Sequence, residues 1–416
     1  MDLSQAGWGV VFAEDADPAI REALGGLLEH RRGQAGRLRE GRYREFGGEE
    51  AYRAGETGIQ FRARYGVGPE AADPDKVPYY LLLVGSPAAI PFRFQVEMDA
   101  TYAVGRIHFD TPAEYERYAR GVVAAESAPP KSPRDAVLFG VENSSDQVTR
   151  QTQRNLMRPL YEELAGASGG WRVRLLGKDK TTKASLRGLL RGAETPDLLF
   201  AAGHGLGFPR SYSYPEQRAR QGALVCRDWP GPRQWDRAIP PEFYFSADDV
   251  PGGANLSGLV AFLIASYSVG TSHHDEFAFR AMHRHFSAAE ESFLSQLPQR
   301  LLSHPDGGAL AVVGQLDRLW GYAGADEKAA PDWQLYSQVL KRLFEGSTLG
   351  WAVELFNERT AELASLISAE LEGISFGKAP ETSTLAGLWM NLSDARNHIV
   401  FGDPAVRISA GEGGAR

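Results

Sequence analysis

His204 stands between two glycines at the end of an apolar run, DLLFAAGHGLGF (197–208). Glycines on either side leave the imidazole uncovered and let the backbone approach a bound molecule closely, so the ring can serve as an acid or a base. A second apolar run, GLVAFLIAS (258–266), delivers Ser266, Tyr267 and Ser268 to a turn that contains Gly270. A base and a nucleophile carried on neighbouring strand ends is a layout for covalent catalysis. Tyr267 and Ser268 read as packing and turn residues, with the Ser268 hydroxyl free to bond its local backbone.

Other reactive side chains fit chemistry less well. Cys226, the single cysteine, sits in GALVCRDWPG (222–231), where no glycine turn opens directly after it, and it reads as a packed strand thiol. His273 and His274, followed by Asp275 and Glu276, tempt toward a metal site. Adjacent side chains on a strand point to opposite faces, however, and the spacing matches no usual zinc pattern; His283 and His285 are no better. A solvated helix start is the reading for 273–276, and no metal or cofactor is expected.

The elements that must position His204 and Ser266 follow from the pattern of apolar residues. Ala19 to about Arg32 has leucines and isoleucine at three- and four-residue spacing, a helix, and the charged, glycine-rich stretch after it reads as a solvated connector. Tyr79 to Val84 is a short buried strand ended by Gly85, and a helix is predicted over 111–127. From AVLFGV (136–141) the chain alternates strand and helix: a helix over 149–164, WRVRLL (171–176), a helix over 182–190, then DLLFAA (197–202). That rhythm implies a mostly parallel sheet with right-handed crossovers. A long polar loop is expected from Gly203 to about Pro241. GLVAFLIAS and GGALAVVGQ (307–315) read as further strands, residues 333–373 as helical, and GEGGAR as a frayed tail. The prolines and charges of APPKSPRD mark a boundary. The fold class is therefore α/β, with a smaller N-terminal subdomain over 1–133 and a catalytic domain with a helical C-terminal part over 134–416.

Composition removes whole classes of function. The chain has 416 residues, 43% hydrophobic and 24% charged, enough to bury a substantial core. Lys+Arg 45 against Asp+Glu 53 gives a net charge of −8, which offers no broad attraction to nucleic acid. One cysteine cannot form an internal disulfide. With no leader-like start and no membrane-length apolar run, the reading is cytoplasmic, without a membrane partner.

A strand ending in His-Gly, a long loop, and then a strand ending in Ala265-Ser266-Tyr267-Ser268-Val269-Gly270 resembles the caspase-like cysteine peptidases, whose layout at the second strand end is Ala-Cys-x-Ser-x-Gly. These include caspases, gingipains, legumain, separase and bacterial CHAT-domain proteases. LLLVGSPAAIPF (81–92) and YAVGRI (102–107) resemble the N-terminal subdomain of gingipain-type enzymes, and FGDPAVRI (401–408) a frequent CHAT-like ending. The resemblance covers most of residues 77–407. It implies an endopeptidase with a Cys-His dyad, His204 as acid and base, and backbone N–H groups near Gly205 and residue 266 as oxyanion donors. The family carries its cysteine where this chain has Ser266. Three readings follow: an engineered Cys→Ser change, which is favoured, a naturally inactive relative, or a true serine enzyme. A hydroxyl is far less acidic than a thiol, and these dyads lack the third group of serine triads, so Ser266 is expected to react slowly or not at all.

The resemblance also implies that the loop VENSSDQVTRQ (141–151) helps form the pocket for the residue before the cut. Asp146 or Glu142 could there pair with an arginine or lysine of a substrate, or each could instead cap a helix. Asp228, beside Trp229, and the pair Asp248 and Asp249 are further acids expected at the sheet's rim. The expected partner is a protein or peptide substrate, such as a gasdermin or a toxin precursor in bacterial immunity or cell death. A rival reading is a non-catalytic module that holds a peptide in the same groove.

Overall fold

The computed structural model describes residues 2–68, 72–129, 133–166, 170–208, 212–274, 287–320, 333–379 and 381–408. The readings for Asp275, Glu276, His283, His285 and the tail GEGGAR lie outside these residues. One ten-stranded sheet organises the molecule. Its strands are β1 Trp8–Phe12, β2 Tyr43–Phe46, β3 Tyr80–Val84, β4 Ala103–Ile107, β5 Arg134–Gly140, β6 Trp171–Leu176, β7 Leu198–Ala202, β8 Val260–Ile264, β9 Ala311–Gln315 and β10 His398–Gly402. Their order is β2-β1-β3-β4-β10-β9-β8-β7-β5-β6.

Neighbouring strands run parallel except at the junction of β9 with β10. That one reversal divides the sheet into two parallel halves running in opposite directions. Every residue of β1, β3, β4, β7, β8, β9 and β10 is buried. Both faces must therefore be covered, which is why these segments read as continuous apolar runs and not as alternating ones. The expected α/β class, a mostly parallel sheet flanked by helices, is what the chain forms. No helix among the described residues is long and apolar enough to cross a membrane.

Local differences from the sequence reading have physical causes. The stretch expected to be a solvated connector contains β2, whose Phe46 is fully buried against Phe61 and Tyr65, with the Arg44 guanidinium over the Phe46 ring. β2 is an edge strand of four residues with only one buried, so it lacks the apolar run that marks its neighbours. β1, WGVVF, is a fully buried strand ahead of the first element expected from the sequence. The N-terminal helix breaks at Leu24 into Pro18–Ala23 and α1, Gly25–Ala35. The helix over 112–127, α2 (Pro112–Ser127), forms as expected behind a Thr111 to Glu114 capping box. The next comprises α3, Gln147–Thr152, a π turn Gln153–Met157, and then Arg158–Gly166. The helical region near the C-terminus is Trp333–Phe344 and Leu349–Ser375, with a further helix, Thr382–Arg396, leading into β10. The long loop after β7 is partly ordered by a short pairing of Leu224–Val225 with Tyr244–Phe245.

The boundary expected near Pro133 lies between α2 and β5. Backbone hydrogen bonding nevertheless runs across it, because β10, far along the sequence, pairs with both β4 and β9. The FGDP segment explains this seam. Gly402 turns at φ 133° with its Cα pressed on the neighbouring strand, where a Cβ would lie 2.8 Å from the Leu310 carbonyl oxygen. Asp403, fully buried, then accepts from Trp8 Nε1 at 3.0 Å and Arg31 Nε at 2.6 Å. Arg31 Nη1 and Nη2 donate to both oxygens of Glu126 in α2, and Nη1 also to Gln34.

Candidate active site

Strands β7 and β8 pair in parallel up to Ala202 and Ile264, and Gly203 N donates to the Ile264 carbonyl at 3.3 Å. Two residues beyond this last pair come His204 and Ser266, so the two chains leave the sheet side by side. Gly205 makes the approach possible: a Cβ there would sit 1.8 Å from the Ser266 carbonyl oxygen. On its other side the chain pairs with 223–225, Val225 N donating to His204 O and Leu206 N to Ala223 O, each at 2.9 Å. In this register the Gly205 N–H faces away from the partner strand, and it has no acceptor among the described residues.

The His204 ring is fixed from behind. Its Nε2 lies 2.5 Å from Asp146 Oδ2, and Trp229 meets the ring edge-on at 6.0 Å between centroids. Asp146 is the N-cap of α3, accepting from Val148 N at 3.1 Å and Thr149 N at 3.4 Å. Asn143 binds this loop to the neighbouring one, with Nδ2 donating to the carbonyls of Cys226 and Trp229. Burial pushes the Asp146 carboxyl up, but hydrogen bonding and charge from His204, with the helix N–H groups, outweigh it and hold the group below the usual carboxylate range. An ionised Asp146 requires the proton on Nε2, leaving Nδ1 as the ring nitrogen able to take or give a proton.

The turn carrying Ser266 is held rigidly. Tyr267 adopts φ 61°, an uncommon left-handed conformation for a bulky residue. It is over-determined by its surroundings: Tyr267 N donates to Asp317 O at 2.7 Å, and Ser295 Oγ donates to Tyr267 O at 2.6 Å. Ser268 Oγ donates to the Leu263 carbonyl at 2.6 Å, the local backbone bond expected of it. Ser266 Oγ accepts from Leu319 N at 3.1 Å. His204, Gly205, Ser266 and Tyr267 line one cavity, whose remaining wall includes Thr149 and Arg318.

The acids expected on the substrate side lie elsewhere. Asp146 is buried, with its oxygens committed to His204 and the α3 terminus, so a substrate cation could reach it only by displacing those partners. Glu142 is half-buried and does not line the cavity. Asp228 is exposed and accepts from Lys183 N at 2.7 Å, beside the Thr182 N-cap of the helix Lys183–Leu189. Of the acids proposed to select a basic substrate, none lines the cavity among the described residues. Cys226 is buried, its Sγ 3.4 Å from the Leu224 carbonyl, and burial pushes the thiol well up, away from thiolate character. His273 hydrogen-bonds the Ala289 carbonyl at 2.9 Å. Sequence reasoning missed Arg318 and Leu319; the available signal was their place just beyond GGALAVVGQ, the strand beside β8. It also missed the pairing of Asp146 with His204, which no local spacing encodes.

No protein-family model and no curated protein sequence matches the chain. Solved structures do. The Arg-specific cysteine proteinase gingipain R (RgpB) aligns over 97% of this chain and 78% of its own, with a TM-score of 0.53 at 14% identity. A complex of Porphyromonas gingivalis RgpB pro- and mature domains gives 96%, 79%, 0.52 and 12%. A structure described as a protease gives 98%, 79%, 0.51 and 12%. The chain has the caspase-like α/β fold of the gingipain proteinases.

Proposed function

We propose that the chain is a caspase-like endopeptidase with its nucleophile at position 266, His204 as acid and base, Asp146 as the group that orients His204, and the Gly205 N–H as an oxyanion donor. The observation that carries this reading is the convergence of His204 and Ser266 on one cavity at the ends of adjacent parallel strands, with the far ring nitrogen held by a buried carboxylate. The side chain at 266 attacks the scissile carbonyl carbon while Nδ1 of His204 takes its proton. The carbonyl electrons move to oxygen and are met by backbone N–H groups. The C–N bond breaks as His204 returns the proton to the departing amine. His204 then deprotonates a water that attacks the acyl carbon, releasing the second peptide and restoring the nucleophile.

Gingipain R is a cysteine proteinase, and a cysteine at 266 fits this scheme directly. The buried Asp146 favours a second reading, because it supplies the third group that the dyad was expected to lack. With it, Ser266, His204 and Asp146 form the set a serine hydrolase uses. One experiment separates these readings: the chain and its Ser266→Cys variant are incubated with a peptide library, and the unaltered chain with a fluorophosphonate probe. Cleavage by Ser266→Cys that disappears with His204→Ala supports the thiol enzyme, and labelling of Ser266 supports the serine enzyme. Failure of both removes the endopeptidase and leaves the non-catalytic peptide-binding module.

Under this proposal the substrate is one dedicated protein, such as a gasdermin or a toxin precursor, cut in the bacterial cytoplasm in a CHAT-like defence role. Incubating the active form with the products of neighbouring genes tests it; a panel left uncut, with model peptides still cleaved, would discard the dedicated target.

A further inference from the structure

Resting on the endopeptidase reading, we propose that the substrate segment is acidic and aromatic, with a bulky apolar side chain in a cleft beside the catalytic cavity and an adjacent carboxylate on Arg318. The two spaces adjoin, since Arg318 lines both. Phe92, Val96, Trp320, Trp389 and Leu392 give the cleft an apolar, aromatic lining. Among the described residues its charged lining is Arg93, Arg318, Arg396 and Asp317. That carboxylate already accepts from Ser272 N at 2.6 Å. Arg93 pairs with Glu97 along its own helix.

Arg318 differs from the other two arginines in its setting. It is exposed, it has no ion-pair partner among the described residues, and its guanidinium lies 5.0 Å from the centre of the Trp320 ring. The backbone beneath it is pinned at successive points. Leu316 N donates to Asn397 O at 2.8 Å, Asp317 N to Gly270 O at 3.1 Å, Leu319 N to Ser266 Oγ at 3.1 Å, and Trp320 N to Asp394 Oδ1 at 2.8 Å. Asp317 is itself left-handed at φ 66°, and its carbonyl holds the Tyr267 N–H of the nucleophile turn. A guanidinium is thus presented on a fixed turn between nucleophile and cleft, with its planar fork available to a carboxylate.

The opposite wall is equally built. Arg106, fully buried in β4, donates to Gln95 Oε1 at 2.8 Å and to the carbonyls of Gly85 at 2.9 Å and Ile90 at 2.6 Å, which fixes the segment that delivers Phe92. A preformed aromatic lining selects a large apolar side chain, and a cationic entrance repels lysine and arginine. The inferred substrate therefore carries Phe, Trp or Leu next to Asp or Glu, the reverse of the basic preference expected from the sequence.

The test uses binding, read on the full chain with Ser266 in place. Fluorescein-labelled decapeptides with Phe or Trp beside Asp or Glu are titrated by polarisation, against twins in which Lys or Arg replaces the acid. The acidic set should bind about tenfold tighter, with an advantage that shrinks as salt is raised. Arg318→Glu, a change at an exposed side chain, should reverse the preference toward the basic twins while leaving the melting temperature in place. Equal or tighter binding of the basic twins, indifference to Arg318→Glu, or no binding below about 1 mM overturns the proposal. The two readings fail separately. Acidic peptides bound but never cut by Ser266→Cys would remove the peptidase and keep this specificity, whereas cleavage confined to basic peptides would do the opposite.

Discussion

Two regions of the molecule join carboxylates to nitrogen bases, and they differ in what surrounds the base. At the seam between the half-sheets, Arg31 is 1% exposed and its N–H groups are taken by Asp403, Glu126 and Gln34. At the strand ends of the other half, Asp146 holds His204 from behind, while the imidazole is 35% exposed and faces a cavity. The bonds are of one kind. In the first region each guanidinium nitrogen donates to a protein acceptor and both carboxylates are engaged, so the cluster ties three segments of the fold together. In the second, one ring nitrogen has no protein partner among the described residues, which leaves it available to a reacting group. Burial of the acid is common to both; access to the base separates a structural latch from a candidate site.

The largest expected effect breaks the functional side. In the catalytically competent form, Asp146→Asn should lower kcat/KM by roughly 10³–10⁴-fold, since it misplaces the proton on His204. Asparagine still caps a helix, so unfolding free energy should change by less than about 1 kcal/mol. A drop of only a few-fold, measured alongside an intact melting curve, would reduce Asp146 to a cap.

Breaking the latch comes next. Asp403→Ala leaves Arg31 buried with one partner fewer and should cost about 3–5 kcal/mol in denaturant titrations. Catalysis by the fraction that remains folded should be unchanged. A loss under about 1 kcal/mol would mean that the cluster is not what joins the half-sheets.

Acid should loosen the seam by two groups whose signs agree. His398 in β10 is buried, stacked on Phe356, and burial depresses it to about 4. It is neutral when folded, while the unfolded chain takes up a proton below its ordinary value of 6.5. Stability should therefore fall between pH 6.5 and 4, by on the order of 2–3 kcal/mol. Glu126 is pushed up by burial, but Arg31 and His30 outweigh this and hold it at about 2, so its contribution disappears as pH falls from 4.5 toward 2. Unfolding free energies across pH 7 to 3 measure both; His398→Gln should flatten the upper part of the curve, and an unchanged slope would exclude the histidine.

The smallest effect sharpens the contrast from outside both regions. Asp228→Ala removes one hydrogen bond to the first turn of the helix Lys183–Leu189, whose Thr182 cap stays in place, and should cost less than about 1 kcal/mol, with peptide binding and turnover unaltered. A change in binding confined to basic peptides would return Asp228 to the substrate side.

Legibility in the sequence followed the physics of each element. Buried parallel strands announce themselves as apolar runs, so β3, β5 and β7 through β9 were readable, as were the two glycine-framed ends that carry His204 and Ser266; β6, an edge strand with one buried residue, was read from its place in the strand-helix alternation, whereas the five-residue β1, as buried as β3, was missed. Edge strand β2 was not, because three of its four residues are only half-buried and its Arg44 guanidinium lies over aromatic rings. Asp146 was singled out, but whether it would cap, bind substrate or hold an imidazole depends on a contact between residues 58 apart in sequence. Arg318 was invisible for a related reason: an arginine after a strand is unremarkable until the turn beneath it is seen tied to the nucleophile.

The position of β10 constrains how the molecule comes into being. Until His398–Gly402 is available, β4 and β9 each present a bare row of amides and carbonyls, and the Asp403 anchor for Trp8 and Arg31 is missing. A chain cut short before this segment would lose the strand that joins the two halves of the sheet, leaving them held by contacts such as Tyr118 Oη on the Leu310 carbonyl and Arg117 Nε on the Ser303 carbonyl. Joining of the two half-sheets through β10 is thereby tied to synthesis having passed residue 403, well after the segments bearing His204 and Ser266 have been made.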